Sequence, residues 1–383
     1  DWMLAPVATR ELEVREDPGR VVRQVFERLL ASPHQVHPDE LGRGLEALHQ
    51  LAGRRPELFQ ALPKAGQAGR RARDMAEAPV ALEEAFTLSE LAHKAGAGMR
   101  QVALLALIGA MLKAESENPR DVGAQPILLF EDPETHLHPI QLATAWSLIA
   151  QLPAQKLVAT SSGDLLASQP LKALRRLVRR PDHVEVFPRE NRPLSAHDAR
   201  RVAFHVRTHR AQALFARVWL LVEGETEAWL LPELGRIAGL SFPLEGIACV
   251  EFAQAGLSPL IRFADEFGIP WHVLADGDEA GRGYVQKASA RLHGRRPARH
   301  VTQLPARDVE HLLWNHGYAG LFRREADPGL GDPTAIIRQA LHRLSKPGMA
   351  LTLAEAAGER GPEGVPPVLR RLFITLQKLA QRG

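Results

Sequence analysis

A chain of 383 residues has room for more than one domain, and its 45% hydrophobic and 24% charged content is that of an ordinary soluble globular protein rather than a disordered or fibrous one. No apolar run reaches membrane-spanning length and no secretory leader is visible; the single cysteine, Cys249, excludes an intrachain disulfide and fits a reducing compartment, so a cytoplasmic location is expected. A net charge of +3 permits nucleic-acid binding without diagnosing it, and the first methionine at position 3 leads us to expect a piece of a longer protein.

Residues 1–95 read as a short extended segment followed by helices, with Leu41, Leu45, Leu48 and Leu51 at helical spacing and prolines punctuating. Nothing in this segment carries visible chemistry, and a supporting helical subdomain is the simplest reading. The next segment, 96–205, opens on a glycine-rich turn, KAGAGM, leading into a helix. QPILLFEDPETHLHP then gives a buried strand, Ile127–Phe130, ending in Glu131, Asp132 and Glu134, and KLVATSSGD gives a second strand, Lys156–Thr160, ending in hydroxyls and Asp164. His136 and His138 stand two apart with no third ligand nearby, a spacing that favours packing or loop roles over zinc.

From Leu171 to Arg217 the chain is rich in arginine. Arg175, Arg176, Arg179 and Arg180 would share one face if the segment were helical. Such a cluster is either a solvated surface or a phosphate-tracking one. A second cluster includes Arg295 and Arg296.

The last segment, 206–383, carries the most informative stretch. In VWLLVEGETE the apolar run Val218–Val222 meets Glu223, a turn at Gly224, and a helix start. Glu223 is thereby placed at the carboxyl end of a strand, where open α/β sheets position ligands. Glu227 follows one helical turn later, so both carboxylates can face one point. WHVLADGDEAGRGY repeats the form, with Asp276 and Asp278 around Gly277. One acidic strand end is ordinary helix capping; two suggest a site for a hard divalent cation. A further strand, His300–Leu304, is followed by RDVEHLLW. There Glu310 is our candidate for a further ligand, with Asp308 as the alternative. Lys346 stands beside Pro347 and Gly348, either solvent-facing or placed to neutralise phosphodiester charge.

The pairing of VEGETE with ADGDEAG resembles the Toprim domain of topoisomerases, primases and related nucleases. That resemblance implies a mainly parallel, Rossmann-like α/β domain with helical additions. It also implies metal and phosphodiester chemistry on Glu223, Asp276, Asp278 and Lys346, with metal held by Glu223, Glu227, Asp276, Asp278 and Glu310. Residues 96–205 resemble the second half of an ABC-type ATPase. On that resemblance Gly98 lies in the signature-like turn, Glu131 and Asp132 form the Walker B-like end, and Ser161 takes the switch position. GxxxxGK[ST] does not occur in the chain, so nothing cradles the nucleotide phosphates. ATP hydrolysis is therefore expected only of the full-length parent.

The fusion of the two resembles the OLD (overcoming lysogenization defect) nucleases. It implies a metal-dependent DNA endonuclease that nicks or cuts by two-metal phosphodiester hydrolysis under ATPase control. Oxygen-only ligands favour Mg2+, with Mn2+ as substitute and two ions in all. The expected partner is double-stranded DNA, contacted by Arg175, Arg176, Arg179, Arg295 and Arg296, with no membrane; a homodimer through the helical segments is left open. The alternatives are a non-catalytic DNA-binding or assembly module with a structural metal site, and a primase- or topoisomerase-like protein. Tyr284 and Tyr318 are the only tyrosines. Tyr284 lies too close in sequence to the DxD turn to resemble a topoisomerase's separate tyrosine domain, so hydrolysis is favoured over strand passage.

Overall fold

The computed structural model describes residues 17–31, 37, 39–40, 43–44, 46–47, 127–135, 137–151, 154–188, 194–205 and 211–381. The leucine repeat from Leu41 to Leu51, the glycine turn at Gly98, and His136 lie outside the described residues. The chain divides into two compact units, Asp1–Ser161 and Ser162–Gly383. Among the described residues no helix is long and apolar enough to cross a membrane.

In the first unit, helix α1 spans Pro18–Ala31. Strands β1 (Ile127–Glu131) and β2 (Gln155–Ala159) pair in parallel, with Leu129 opposite Leu157. They are joined through helix α2, Pro139–Gln151, which buries Leu142, Ala145 and Ile149 at the i, i+3, i+7 positions of one face.

The second unit opens with a short helix α3, Gly163–Ala167, capped by the Ser162 hydroxyl. The arginine-rich segment, whose arginines would share one face only in a helix, is a strand, β3 (Arg176–Arg179), antiparallel to β4 (Val184–Phe187). Alternation decides this: Val178 and Phe187 turn inward, while Leu177 and Val186, directly opposite each other, turn outward. Helix α4, Ala196–His205, follows.

A four-stranded parallel sheet organises the remainder, in the order β6 (Ile247–Glu251), β5 (Val218–Val222), β7 (Trp271–Ala275), β8 (Val301–Gln303). The two acidic units are therefore not consecutive in sequence, since β6 intervenes, but they are neighbours in the sheet. Every residue of β5 and β7 is buried, as parallel strands covered on both faces must be. Alternation along β5 divides the core. Val218, Leu220 and Val222 pack with helices α5 (Glu225–Ile237), α9 (Pro333–Arg360) and α10 (Pro367–Ala380). Trp219 and Leu221 pack on the other face with α6 (Leu257–Glu266) and α7 (Glu279–Ser289). Each large side chain buried this way contributes roughly 1.5–3 kcal/mol.

Two indoles and a histidine in this core find polar partners. The Trp219 indole donates to the Ala213 carbonyl at 2.7 Å and the Trp271 indole to Asp265 at 2.9 Å. His272 lies fully buried between the Arg299 carbonyl and the Thr302 hydroxyl, and burial drives its imidazole down to a pKa of about 4. A buried neutral histidine of this kind holds β7 against β8, and so sets the level at which both strands end.

Candidate active site

Parallel alignment brings the carboxyl ends of β5, β7 and β8 to one edge of the sheet. Leu221 pairs with Val273 and Ala275 with Gln303, so Glu223 and Asp276, each one residue past its strand, emerge side by side. The Glu223 carbonyl accepts from the Ala253 N–H at 3.2 Å, which ties the end of β6 to the same edge.

Each acid is set by local chain geometry. Gly224 caps α5 in an extended conformation without a side chain of its own, leaving the first helical turn to present Thr226 and Glu227 inward, both buried. Asp278 caps α7, accepting from the Gly281 N–H at 2.7 Å. Between them the backbone is drawn tight. A β-carbon on Gly281 would lie 1.9 Å from the Asp276 carbonyl oxygen, and one on Gly277 would lie 2.2 Å from that of Ala306. The glycines of DGDEAG are therefore required by close backbone approach. The Gly277 N–H is shared between the Ala306 and Arg307 carbonyls at 3.0 and 3.1 Å, fastening this turn to the loop before helix α8 (Val309–Leu313). Asp308 caps α8 through the His311 N–H at 2.8 Å and also meets the His311 ring at 2.6 Å. Glu310 is buried in that helix's first turn.

The electrostatics identify these acids as one cluster. Burial, then the charges of Glu227, Glu223, Asp308 and Glu310, push Asp276 up to about 8. Burial, with Asp308 and Glu227, pushes Glu310 up to about 7. Glu223 is raised by burial and by Glu227 and Asp278. Glu227 is raised chiefly by burial, despite its place at a helix N-terminus, where the dipole favours charge. Lys346 acts in the opposite sense on both Glu223 and Glu227. Its ammonium reaches this edge because α9 breaks at Ser345, which has φ 65°, just ahead of Pro347.

The structure thus brings together Glu223, Glu227, Asp276, Asp278, Glu310 and Lys346. It adds Asp308 as a full neighbour rather than an alternative to Glu310. It also adds Tyr284, whose ring packs edge-on against Phe252 at 4.8 Å between centroids. Burial and the nearby Glu223, Asp278 and Asp276 raise the Tyr284 phenol above its ordinary value. The sequence signal for Asp308 was present but looked like routine capping; for Tyr284 it lay only in its distance from the DxD turn.

The expected DNA-contacting arginines are dispersed. Arg176 turns inward and donates to the Phe267, Gly268 and Ala216 carbonyls at 3.2, 2.9 and 3.1 Å. Arg295 pairs with Asp265 at 2.9 Å and stacks 5.0 Å from the Trp271 ring centroid. Arg175 donates to the Lys172 and Leu174 carbonyls, whereas Arg179 and Arg296 are exposed.

In the first unit, Glu131 and Asp132 are both exposed at the end of β1, and Asp132 has φ 43°. Ser161 follows β2, and its N–H donates to Glu134 at 2.7 Å. Thr160 also donates to Glu134, at 2.8 Å. Burial works against the Glu134 carboxylate, but these hydrogen bonds outweigh it and hold the group below its ordinary value.

Toprim domains in general bind divalent metals, and the donor set here fits such an ion. Every candidate donor is a carboxylate oxygen, and burial followed by the neighbouring carboxylates raises Asp276 and Glu310. Among the described residues no three His, Cys, Asp or Glu side chains already stand at metal-holding distances, so side-chain rotation would have to complete the coordination.

Comparison with known proteins agrees with this architecture. Residues 7–213 match the family described as proteins of unknown function, DUF2813. Residues 214–278 match the overcoming lysogenization defect protein-like Toprim domain. The uncharacterized protein YbjD of Escherichia coli is 40% identical over 360 residues, which is 92% of this chain and 64% of that protein, so the chain spans somewhat under two thirds of its relative's length. Solved C-terminal regions of two OLD proteins are also similar. That of Xanthomonas campestris pv. campestris is 17% identical with a TM-score of 0.37, covering 44% of this chain and 95% of its own. That of Burkholderia pseudomallei is 16% identical with a TM-score of 0.38, covering 43% of this chain and 99% of its own. With more than half of its length in the first match, and Glu223, Glu227, Asp276 and Asp278 in the second, the chain belongs to the DUF2813 family and carries an OLD-like Toprim domain.

Proposed function

We propose that this chain carries the nuclease centre of a divalent-metal-dependent DNA endonuclease, governed in the longer protein by an ATPase. The convergence of Glu223, Glu227, Asp276, Asp278, Asp308 and Glu310 at one sheet edge, with Asp276 and Glu310 raised to about 8 and 7, carries this reading. Glu223, Glu227, Asp276, Asp278 and Glu310 would hold magnesium or manganese, and Asp308 is placed to join them. When bound, a pair of such ions supplies Lewis-acid stabilisation and an activated water for phosphodiester hydrolysis.

The chain's own groups do the rest. Lys346, exposed and facing Glu223 and Glu227, is placed to offset negative charge that builds on the phosphodiester. Tyr284 lies just after the DxD turn, on the domain that carries the acids, rather than on a separate tyrosine-bearing domain, which favours attack by water over a tyrosyl–DNA link. Gly277 and Gly281 let the backbone close tightly enough to place Asp276 beside Glu223.

Supercoiled plasmid incubated with magnesium, manganese or EDTA tests the proposal. The expected outcome is conversion to nicked or linear DNA that needs metal and falls at least about a thousandfold in Asp276→Ala. Metal binding by calorimetry with no cutting, by this chain and by the full-length parent with ATP, would replace the proposal with a structural metal site. Equal cutting by Asp276→Ala and Glu223→Ala would refute the assignment of the centre.

A further inference from the structure

Three arginines absent from the expected DNA-binding set stand at the sheet edge beside the acids. Each comes from a different element, and each is fastened to the loop after a different strand. Arg201, on α4, donates to the Gln254 carbonyl at 2.7 Å and lies against Gly256, in the loop after β6 whose Ala253 N–H bonds Glu223. Arg282, near the start of α7, reaches the carbonyl of Gly277, which separates Asp276 from Asp278, at 3.5 Å. Arg307, in the loop after β8, has its Nε 3.9 Å from Asp308 and gives its own carbonyl to the Gly277 N–H. All three side chains are exposed.

Helix stability does not account for them. Arg282 and Arg307 lie at the N-terminal ends of α7 and α8, where the helix dipole disfavours cations. The carbonyl contacts of Arg201 and Arg282, and the Asp308 carboxylate beside Arg307, orient the guanidinium groups and leave most of the donors free. Meanwhile the edge they border gathers six carboxylates, and Lys346 offsets only part of that acidity, which disfavours the approach of a polyanion. A phosphate backbone approaching that edge needs fixed cations on either side of the acids.

We propose that Arg201, Arg282 and Arg307 form the phosphate-binding rim of the nuclease centre, clamping the DNA backbone on either side of the phosphodiester to be cut. This rests on the nuclease reading above and names how its substrate is held. From β6 to β8 is three strand spacings, about 14 Å. That matches about four nucleotides of one strand at about 3.4 Å of axial rise each, so the rim is long enough to grip phosphates flanking a central one. Guanidinium groups suit this task through bidentate bonds to phosphate oxygens.

Binding of a short labelled DNA duplex, followed by fluorescence anisotropy over a range of salt with calcium in place of magnesium, tests the rim without requiring turnover. In the triple variant R201Q/R282Q/R307Q the slope of log K against log salt should fall by about 0.9 for each lost contact, about 2.7 in all. The Lys triple variant should restore most of that slope, which a merely structural role would not. Arg324→Gln, an exposed arginine on the 319–324 helix, should leave it unchanged. In the plasmid assay the glutamine triple variant should raise KM at least about tenfold with a smaller change in kcat. An unchanged slope in a folded triple variant, or an equal loss in Arg324→Gln, overturns the rim while leaving the nuclease centre standing. Failure of the parent chain both to bind and to cut DNA overturns both.

Discussion

At the end of β1, Glu134 turns its carboxylate back onto the end of β2, where Thr160 and Ser161 donate to its Oε1 and hold its pKa down. At the ends of β5 and β7, Glu223 and Asp276 meet other carboxylates instead, and their pKa values rise. In sequence the two regions look alike: an apolar parallel strand, two or three acids, a turn and a helix. The difference lies in what the neighbouring strand end supplies. Hydroxyl and amide donors favour the charged form of the first acid, whereas burial and a second and third acid disfavour it at the other edge.

That contrast depends on backbone clearance, and Gly281 is the place to break it. Alanine there would set a β-carbon 1.9 Å from the Asp276 carbonyl oxygen, with main chain rather than a flexible side chain in the way. We expect Gly281→Ala to cost about 3 kcal/mol or more. It should also remove any stabilisation by magnesium, because Asp276 and Asp278 would move together. Urea unfolding with and without magnesium measures both. A variant that keeps the parent's stability and metal response would show that the acids do not depend on this turn.

The response to pH sharpens the comparison. In the folded, metal-free protein Asp276 keeps its proton to about pH 8 and Glu310 to about 7, against ordinary values of 3.8 and 4.5. Between those limits the folded state binds more protons than the unfolded one, so stability falls as pH rises. Allowing for solvent screening at the partly exposed Asp276, the loss from pH 5 to 8 is on the order of 2 kcal/mol. Excess magnesium should flatten or reverse this slope, since it favours the deprotonated ligands. Melting curves across that range in EDTA and in magnesium provide the check. A metal-free Tm that rises from pH 5 to 8 would contradict the crowded-acid picture.

How much of this was legible in the sequence varies with the physics involved. Strands β5 and β7 could be read directly, because both faces are buried and every residue is apolar or aromatic apart from His272. Strand β6 escaped because IACVE sits on the sheet edge, half-buried, with small residues at its centre. Charge spacing from Arg175 to Arg180 left the segment's conformation open, whereas the pairing of RLVR with VEVF rests on cross-strand contacts that no local window contains. Asp308 hid behind its role as a helix cap, which it also performs. Arg201, Arg282 and Arg307 come from segments far apart in sequence, so only the sheet order assembles them. Acids adjoining a strand are local features and could be listed; which acids face one another depends on register.

The smallest effect belongs to Glu134. Removing the Glu134 carboxylate takes away the acceptor used by Thr160 and Ser161, but Ser161 is exposed and water can replace the lost partner. Glu134→Ala should therefore cost only about 1 kcal/mol. The sign of its pH dependence is opposite to that of Asp276. A carboxylate held below its ordinary value of 4.5 contributes stability that is present above that pH and is lost as pH falls through its folded pKa. Parent and variant should thus differ near neutrality and converge in acid, with no change in magnesium response at any pH. Differential melting of the two proteins below pH 5 and near pH 7 would show it. If Glu134→Ala instead altered the magnesium response, the acids at the end of β1 would have to be counted as cation ligands too, and hydrogen-bonding donors at a neighbouring strand end would no longer suffice to tell the two kinds of acidic edge apart.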